Sequence, residues 1–394
     1  MKILFFIPYT SSNYGGTSVV AKSLARELPK HNVDVDLIST NASGKEKLDV
    51  PLEKWLYTNS YKTQYFPCLH RNDFILSNSL LNWLKRNIDL YDIVHTHTIW
   101  SPLVSSVQKI CRAKGKPYIS TPHGMLEPWI LSSKSWKKKP YLKLVEQPAL
   151  RKASYIHAIA PEEERTIRKL GFKNVITAPN GINKTDFEFL KSPEIFYEHF
   201  PETRAKKIIL FLGRLHPKKG LDLLAPAFSR IHRSFPDTHL VIAGSDNSNF
   251  LETAKGYFSN INCLDSVTFT GLLNGDLKYS ALAAATFYVA PSYSEGFSMS
   301  ILEGMASGLP CVITNTCNFP EASHVAHVVN VDTDHIYQAM LNILSNNEQS
   351  KELGNQARDF VFKNYTWESS AKKLINCYES MVTKSLDYEL TSIR

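Results

Sequence analysis

Apolar residues in this chain fall into short runs, each closed by a polar or glycine-bearing turn and followed by a stretch with helical spacing. Ile3 to Pro8 is the first such run. It enters the loop Ser11 to Gly16, after which Val19, Val20, Leu24 and Leu28 recur at the spacing of one helix face. Val33 to Ile38 reads as the second strand. Asp92-Ile-Val-His-Thr-His, Tyr118-Ile-Ser-Thr-Pro-His-Gly and Ser154-Tyr-Ile-His-Ala-Ile-Ala repeat the passage from strand to polar turn. The pattern breaks at Ala178-Pro-Asn-Gly-Ile-Asn, and Pro193 to Pro201 lacks periodicity. It then restarts with five strands: Lys207-Ile-Ile-Leu-Phe-Leu-Gly, His239-Leu-Val-Ile-Ala-Gly, Val267-Thr-Phe-Thr-Gly, Phe287-Tyr-Val-Ala-Pro and Pro310-Cys-Val-Ile-Thr. Alternation of strands and helices predicts an α/β fold with two Rossmann-like doubly wound parallel-sheet domains, and in such sheets ligands bind beyond the carboxyl ends of the strands. The expected division is a first domain over 1–182, a connection over 183–204, a second domain over 205–364 and a terminal helix over 365–394. Ala371, Leu374, Ile375, Tyr378 and Met381 share one face of that helix.

A length of 394 residues agrees with two domains, and 43% hydrophobic with 21% charged residues excludes a disordered or fibrous chain. The six cysteines are scattered without a C-x-x-C pair, which fits a reducing cytoplasm. Pro8 and the polar residues after Tyr9 stop the first strand from reading as a signal peptide. The run Ala281 to Ala290 is far shorter than the ~20 residues that cross a bilayer. A net charge of +8 asks for an anionic partner without choosing among nucleotide phosphate, nucleic acid and acidic lipid. Basic residues concentrate over 134–152 (Lys134, Lys137, Lys138, Lys139, Lys143, Arg151, Lys152), interleaved with Trp129, Trp136 and Tyr141. That composition suits peripheral docking on an anionic membrane surface, or a solvated basic loop and helix.

Two segments carry candidate chemistry. Pro291-Ser-Tyr-Ser-Glu-Gly-Phe-Ser-Met-Ser-Ile-Leu-Glu-Gly-Met-Ala-Ser-Gly-Leu-Pro places Glu295 and Glu303 across a turn and a helix start, with seven residues between them. Eight helical steps span ~12 Å, beyond the ~5–9.5 Å of glycosidase carboxylate pairs. Carboxylates accept two hydrogen bonds from vicinal hydroxyls, so the pair suits sugar or ribose binding. Gly213-Arg-Leu-His-Pro-Lys-Lys-Gly is a strand end bearing Arg214, Lys218 and Lys219. Fixed cations stabilise a leaving diphosphate and can stand in for a divalent metal.

Together these segments resemble the retaining glycosyltransferases of family 4, which have the GT-B architecture of two Rossmann-like domains facing across a cleft. The resemblance implies that Glu295 holds the transferred sugar and Glu303 the ribose, and that the amides around Gly296, Phe297 and Ser298 face the donor at a helix N-terminus. It assigns Arg214 and Lys219 to the diphosphate, Gly15 and Gly16 to close approach by phosphate or sugar, and His123 of Thr-Pro-His-Gly to the reacting sugar. Asn180-Gly181 matches the turn that closes the family's first domain, and the terminal helix the one that returns to it. Gly304 stands where the family has alanine, and Asn318-Phe-Pro-Glu321 replaces a glycine-rich turn.

The implied activity is retaining, metal-independent transfer of a hexose from a UDP- or GDP-sugar to a glycan or lipid-linked acceptor. Such transfer belongs to cell-surface or extracellular polysaccharide or glycolipid synthesis, with no cofactor and no nucleic-acid partner. His95 and His97 point the same way along a strand but lack further ligands at metal-binding spacing, and Asp34-Val-Asp36 and Asp332-Thr-Asp334 read as chance matches to a metal motif. The rival readings are a nucleotide-sugar epimerase of the same fold, or an NAD(P)-dependent oxidoreductase. The latter lacks G-x-G-x-x-G after the first strand.

Overall fold

Ile3, Leu4, Phe5 and Phe6 are fully buried because their strand, Lys2–Phe6, is covered on both faces. It lies inside an eight-stranded sheet whose order runs Val175–Thr177, Tyr155–Ala158, Tyr118–Thr121, Ile93–His97, Lys2–Phe6, Asp34–Thr40, Lys62–Phe66, Trp55–Tyr57. Every neighbouring pair is parallel except the last. Phe5 is in register with Leu37 on one side and His95 on the other. The helix Gly16–Glu27 buries Val20, Ala21 and Leu24 and leaves Val19 half exposed, so Val19 does not belong to the buried face read from its spacing.

These strands come from the computed structural model, in which the chain divides into two compact units: Met1–Asn180 with Trp367–Arg394, and Gly181–Thr366. It describes all residues except 12, 13, 15, 72, 73, 133, 134, 190, 247, 393 and 394, and the side chains of all the others except 129, 135, 137 and 384–392.

The second unit holds a six-stranded, all-parallel sheet ordered Val267–Gly271, Thr238–Ala243, Lys207–Leu212, Ala285–Ala290, Cys311–Thr314, His327–Val329. Chain order reverses between Lys207–Leu212 and Ala285–Ala290. In the first unit it reverses between Lys2–Phe6 and Ile93–His97. At such switch points the loops leaving the carboxyl ends diverge and open a crevice. In the second unit those loops begin at Gly213 and Pro291.

Residues 183–204, expected as a connection, fold with the second unit as the helices Thr185–Glu188 and Glu194–His199. Phe187 packs edge-on against Tyr279, and the backbone of Phe196 donates to Ser280 Oγ at 2.8 Å. The helix Trp367–Ser392 belongs to the first unit, where it buries Ala371, Leu374, Tyr378 and Met381. Asp36 takes a structural role: it accepts from the Tyr91 hydroxyl at 2.7 Å and pairs with Lys2 and Lys62 at 3.4 Å each. Asp332 caps the helix Thr333–Ser345 through the amides of Asp334 and His335. All six cysteines are unbridged and buried. Among the described residues no helix is long and apolar enough to cross a membrane.

Candidate functional site

The loops at the switch point of the second sheet nest against one another through glycine. Gly213 donates its amide to Ala243 O at 2.9 Å, and a Cβ on Gly244 would meet Gly213 O at 1.7 Å. His216 Nδ1 accepts from the Lys218 amide at 3.2 Å and caps the short turn Pro217–Lys219. Gly220 ends that turn at φ 72°, and a Cβ there would lie 1.9 Å from Pro291 O. Only glycine lets the cationic loop and the glutamate loop lie this close. The Tyr293 amide then donates to Lys218 O at 2.8 Å and ties the two loops together.

This contact brings Lys219 onto Glu295. The ammonium pairs with Glu295 Oε1, which also accepts from Ser292 Oγ at 2.7 Å; both charged side chains are nearly buried. The Glu295 backbone is fixed as well: its amide donates to Thr316 O at 3.1 Å and its carbonyl accepts from Asn318 Nδ2. Burial by itself would raise the Glu295 pKa, but Lys219, Lys218 and the Ser292 hydroxyl outweigh it and hold the carboxyl below its ordinary value. Lys218 is lowered, first by burial and then by Lys219 and Arg214 despite the opposing pull of Glu295. His216 is lowered by burial, Lys218, Arg214 and Lys219. Arg214, Lys218, Lys219 and Glu295 thus share one electrostatic neighbourhood, with Arg214 exposed at its edge. Its excess of positive charge is the complement of a diphosphate.

Gly296, Phe297 and Ser298 form the turn into the helix Met299–Ala306, with Ser298 as its N-cap. The Phe297 ring is buried against Phe319 and Tyr365, at 5.2 and 5.7 Å, so its side chain anchors the turn. Glu303, one helical face along, forms an ion pair of 2.7 Å with Lys278 of the helix Gly275–Ala284. Gly304 has a packing reason: a Cβ there would come within 2.8 Å of Cγ of the buried Tyr288 ring. Sequence reasoning gave no role to Ser292, three positions from Glu295, or to Asn318 and Lys278, which reach their partners across 23 and 25 positions. Asn318 alone left a trace, as a departure from a glycine-rich turn; it sits at φ 53°, the left-handed region that asparagine tolerates.

The first-unit candidates are placed separately. His123 follows the strand Tyr118–Thr121 in a left-handed conformation, φ 56°, and the next amide, Gly124, donates to buried Glu163 Oε1 at 2.6 Å. Glu163 also takes the Ile159 amide at 2.8 Å; burial carries its pKa up to about 7. Gly16 opens the helix Gly16–Glu27, and a Cβ there would meet no protein atom within 4 Å. Gly15 lies outside the described residues. His95 and His97 engage Tyr378, Thr121 and His123 through their ring nitrogens.

Two family patterns match. The one described as Glycosyl transferases group 1 matches residues 195–378, and the one described as Glycosyltransferase Family 4 matches residues 14–186. Among individual relatives, an uncharacterized glycosyltransferase of Methanocaldococcus jannaschii is 27% identical over 390 residues, covering 93% of this chain and 94% of its own. The phosphatidyl-myo-inositol mannosyltransferase of Mycobacterium tuberculosis is 25% identical over 228 residues, 56% of this chain and 57% of its own. Among solved structures, Anabaena HepE in complex with UDP and glucose superimposes with a TM-score of 0.74 at 15% identity, covering 96% of this chain and 100% of that one.

Proposed function

The chain belongs to the group 1 and family 4 glycosyltransferases of GT-B fold, enzymes that transfer sugar from a nucleotide-sugar donor, and from that premise we propose a UDP- or GDP-hexose as donor and a glycan or lipid-linked molecule as acceptor. The observation that carries the donor assignment is the Lys219–Glu295 pair within the Arg214–Lys218 field. An arriving diphosphate takes over the Lys219 ammonium and meets Arg214, which frees Glu295 Oε1 to accept from sugar hydroxyls. Glu303, drawn from Lys278, accepts from the ribose. As the bond from the anomeric carbon to the diphosphate breaks, the two cations stabilise the charge gathering on the leaving oxygens. The acceptor oxygen bonds to the anomeric carbon on that same face and passes its proton to a phosphate oxygen, so configuration is retained without a metal.

Thermal shift with UDP, GDP, ADP and NAD(P) tests the donor class. Either UDP or GDP at about a hundred times its Kd stabilises by ~2.7 kcal/mol, a shift of a few degrees that Arg214→Ala abolishes. A response to NAD(P) alone, with none to UDP, GDP or their sugars, refutes the reading.

The acceptor side is proposed to meet an anionic membrane surface. Support comes from the 134–152 segment, where Trp136 and Leu144 are largely exposed beside exposed Lys139, Lys143, Arg151 and Lys152, while Leu142, Ala149 and Leu150 hold the segment to the core. Lys134 and the side chains of Trp129 and Lys137 lie outside the described residues. The protein is expected to sediment with vesicles containing 30% phosphatidylglycerol and not with pure phosphatidylcholine. Binding falls with salt and is lost in Trp136→Ser/Leu144→Ser. Equal sedimentation of that double variant sets the segment aside.

A further inference from the structure

His123 has a partner of its own. Its Nε2 lies 3.0 Å from His97 Nδ1, with the rings 5.2 Å apart at 29°. His97 is fully buried at the end of the strand Ile93–His97, held between Phe5 at 5.0 Å and the stacked ring of His95 at 4.6 Å. His95 cannot turn, because its Nδ1 is engaged by the Tyr378 hydroxyl and its Nε2 by Thr121 Oγ1, each at 2.6 Å. The neighbouring His157 is likewise taken at both nitrogens, by Thr121 Oγ1 at 2.9 Å and Ala178 O at 2.8 Å.

Three buried polar atoms in this cluster have no hydrogen-bond partner among the described residues: His97 Nε2, His123 Nδ1 and Thr98 Oγ1. Thr98 and His123 are both non-glycine residues in the left-handed region, at φ 71° and 56°. Buried unpaired atoms beside strained backbone at a sheet's carboxyl edge call for a partner, which the polar atoms of a ligand can supply. Burial first, and then the neighbouring histidines, hold both rings neutral; His123 falls to about 3 and His97 moves in the same direction.

A neutral imidazole carries one N–H and one lone pair. Two neutral rings joined nitrogen to nitrogen share a single hydrogen, which couples the two unpaired atoms. If His97 Nδ1 holds it, His123 must carry its own hydrogen on Nδ1 and His97 Nε2 is bare. If His123 Nε2 holds it, His97 carries its hydrogen on Nε2 and His123 Nδ1 is bare. In both cases the pair leaves one donor and one acceptor unpaired.

We propose that His97 is the positioning residue of His123: through the shared hydrogen it ties the tautomer of His123 to its own, so that the pair offers one N–H and one lone pair to sugar hydroxyl groups, which donate and accept. This rests on the sugar-transfer reading of the protein.

Long-range proton–nitrogen NMR of the protein labelled with 15N-histidine reads each tautomer directly, with signals assigned by their loss in His97→Phe and His123→Phe. The two rings are expected to match, both Nδ1–H or both Nε2–H. Opposite tautomers, or a charged ring at pH 7, overturn the proposal. In His97→Phe, which keeps an aromatic ring between Phe5 and His95, His123 is expected to become a mixture of tautomers. Nucleoside-diphosphate release from the donor selected by thermal shift then slows about tenfold to a hundredfold in kcat, with the donor KM within twofold. Full-speed turnover by folded His97→Phe sinks the proposal; if His123→Ala is slow in that case, the sugar-transfer reading stands, and if His123→Ala is also at full speed, the role of His123 falls with it.

Discussion

Lys219→Met is expected to lower sugar transfer about a thousandfold and to lower the melting temperature of the protein at the same time. The first effect follows from removing a cation proposed to meet the charge that develops on the leaving group. The second follows from the partner left behind. Glu295 is 7% exposed and its carboxylate depends on Lys219 more than on any other group. Breaking a buried pair from one side costs about 3–5 kcal/mol, because the remaining charge is uncompensated.

The pH dependence has a definite sign. In the wild type the Glu295 pKa is depressed, so its contribution is present above the ordinary carboxylate range and lost as pH falls through the depressed value. Without Lys219, burial dominates and raises that pKa. The penalty then appears as pH rises, so the deficit in melting temperature is larger at pH 8 than at pH 5. The double variant Lys219→Met/Glu295→Gln removes the stranded charge and is expected to recover most of the stability and none of the activity. Calorimetry at the two pH values, alongside turnover, separates the effects. A single variant that melts like the wild type removes the ion pair from the account, and one that turns over normally removes Lys219 from the diphosphate.

Much of this site was legible because its parts are local in sequence. Strand, glycine, cation and helix over 207–221, and strand, glutamate turn and helix over 285–306, each announce themselves by apolar runs ending in polar turns. What escaped is non-local or too polar to show a period. Lys62–Phe66 reads Lys-Thr-Gln-Tyr-Phe, with Thr63 and Gln64 buried, so a strand lies where composition suggests a loop. Trp55–Tyr57, Val175–Thr177 and His327–Val329 are three residues each, too short for alternation to register. Lys278 reaches Glu303 across 25 positions and Asn318 reaches Glu295 across 23; no spacing rule links them. His95 and His97 raised a metal question because alternate strand residues share a side. What those rings do is decided by Tyr378, 283 positions from His95, and by His123. Gly304 costs roughly 1 kcal/mol of helix propensity relative to alanine, yet it faces Tyr288 too closely to admit the methyl group.

That contrast between propensity and packing gives the other large expected effect. Gly220→Ala should destabilise the protein by roughly 3 kcal/mol or more, since the added Cβ would sit 1.9 Å from the Pro291 carbonyl oxygen and φ is 72°. Backbone, unlike a flexible side chain, cannot step aside without carrying its loop. Here it would carry both: Gly220 adjoins Lys219, and Pro291 leads into Ser292 and Glu295. A displacement on the order of 1 Å at such a site costs about a hundredfold in rate, so activity should fall even at temperatures where the variant stays folded. Gly256→Ala is the matched control. Gly256 lies within the helix Leu251–Ser259, its Cβ would meet nothing within 4 Å, and its φ is not in the left-handed region. The same chemical change there removes only unfolded-state freedom and should stabilise by about 0.5–1 kcal/mol. Melting temperatures of the two variants should therefore move in opposite directions, with turnover lost only in the first. A Gly220→Ala protein that melts within a degree of the wild type and keeps its rate would show that the two loops do not depend on this contact.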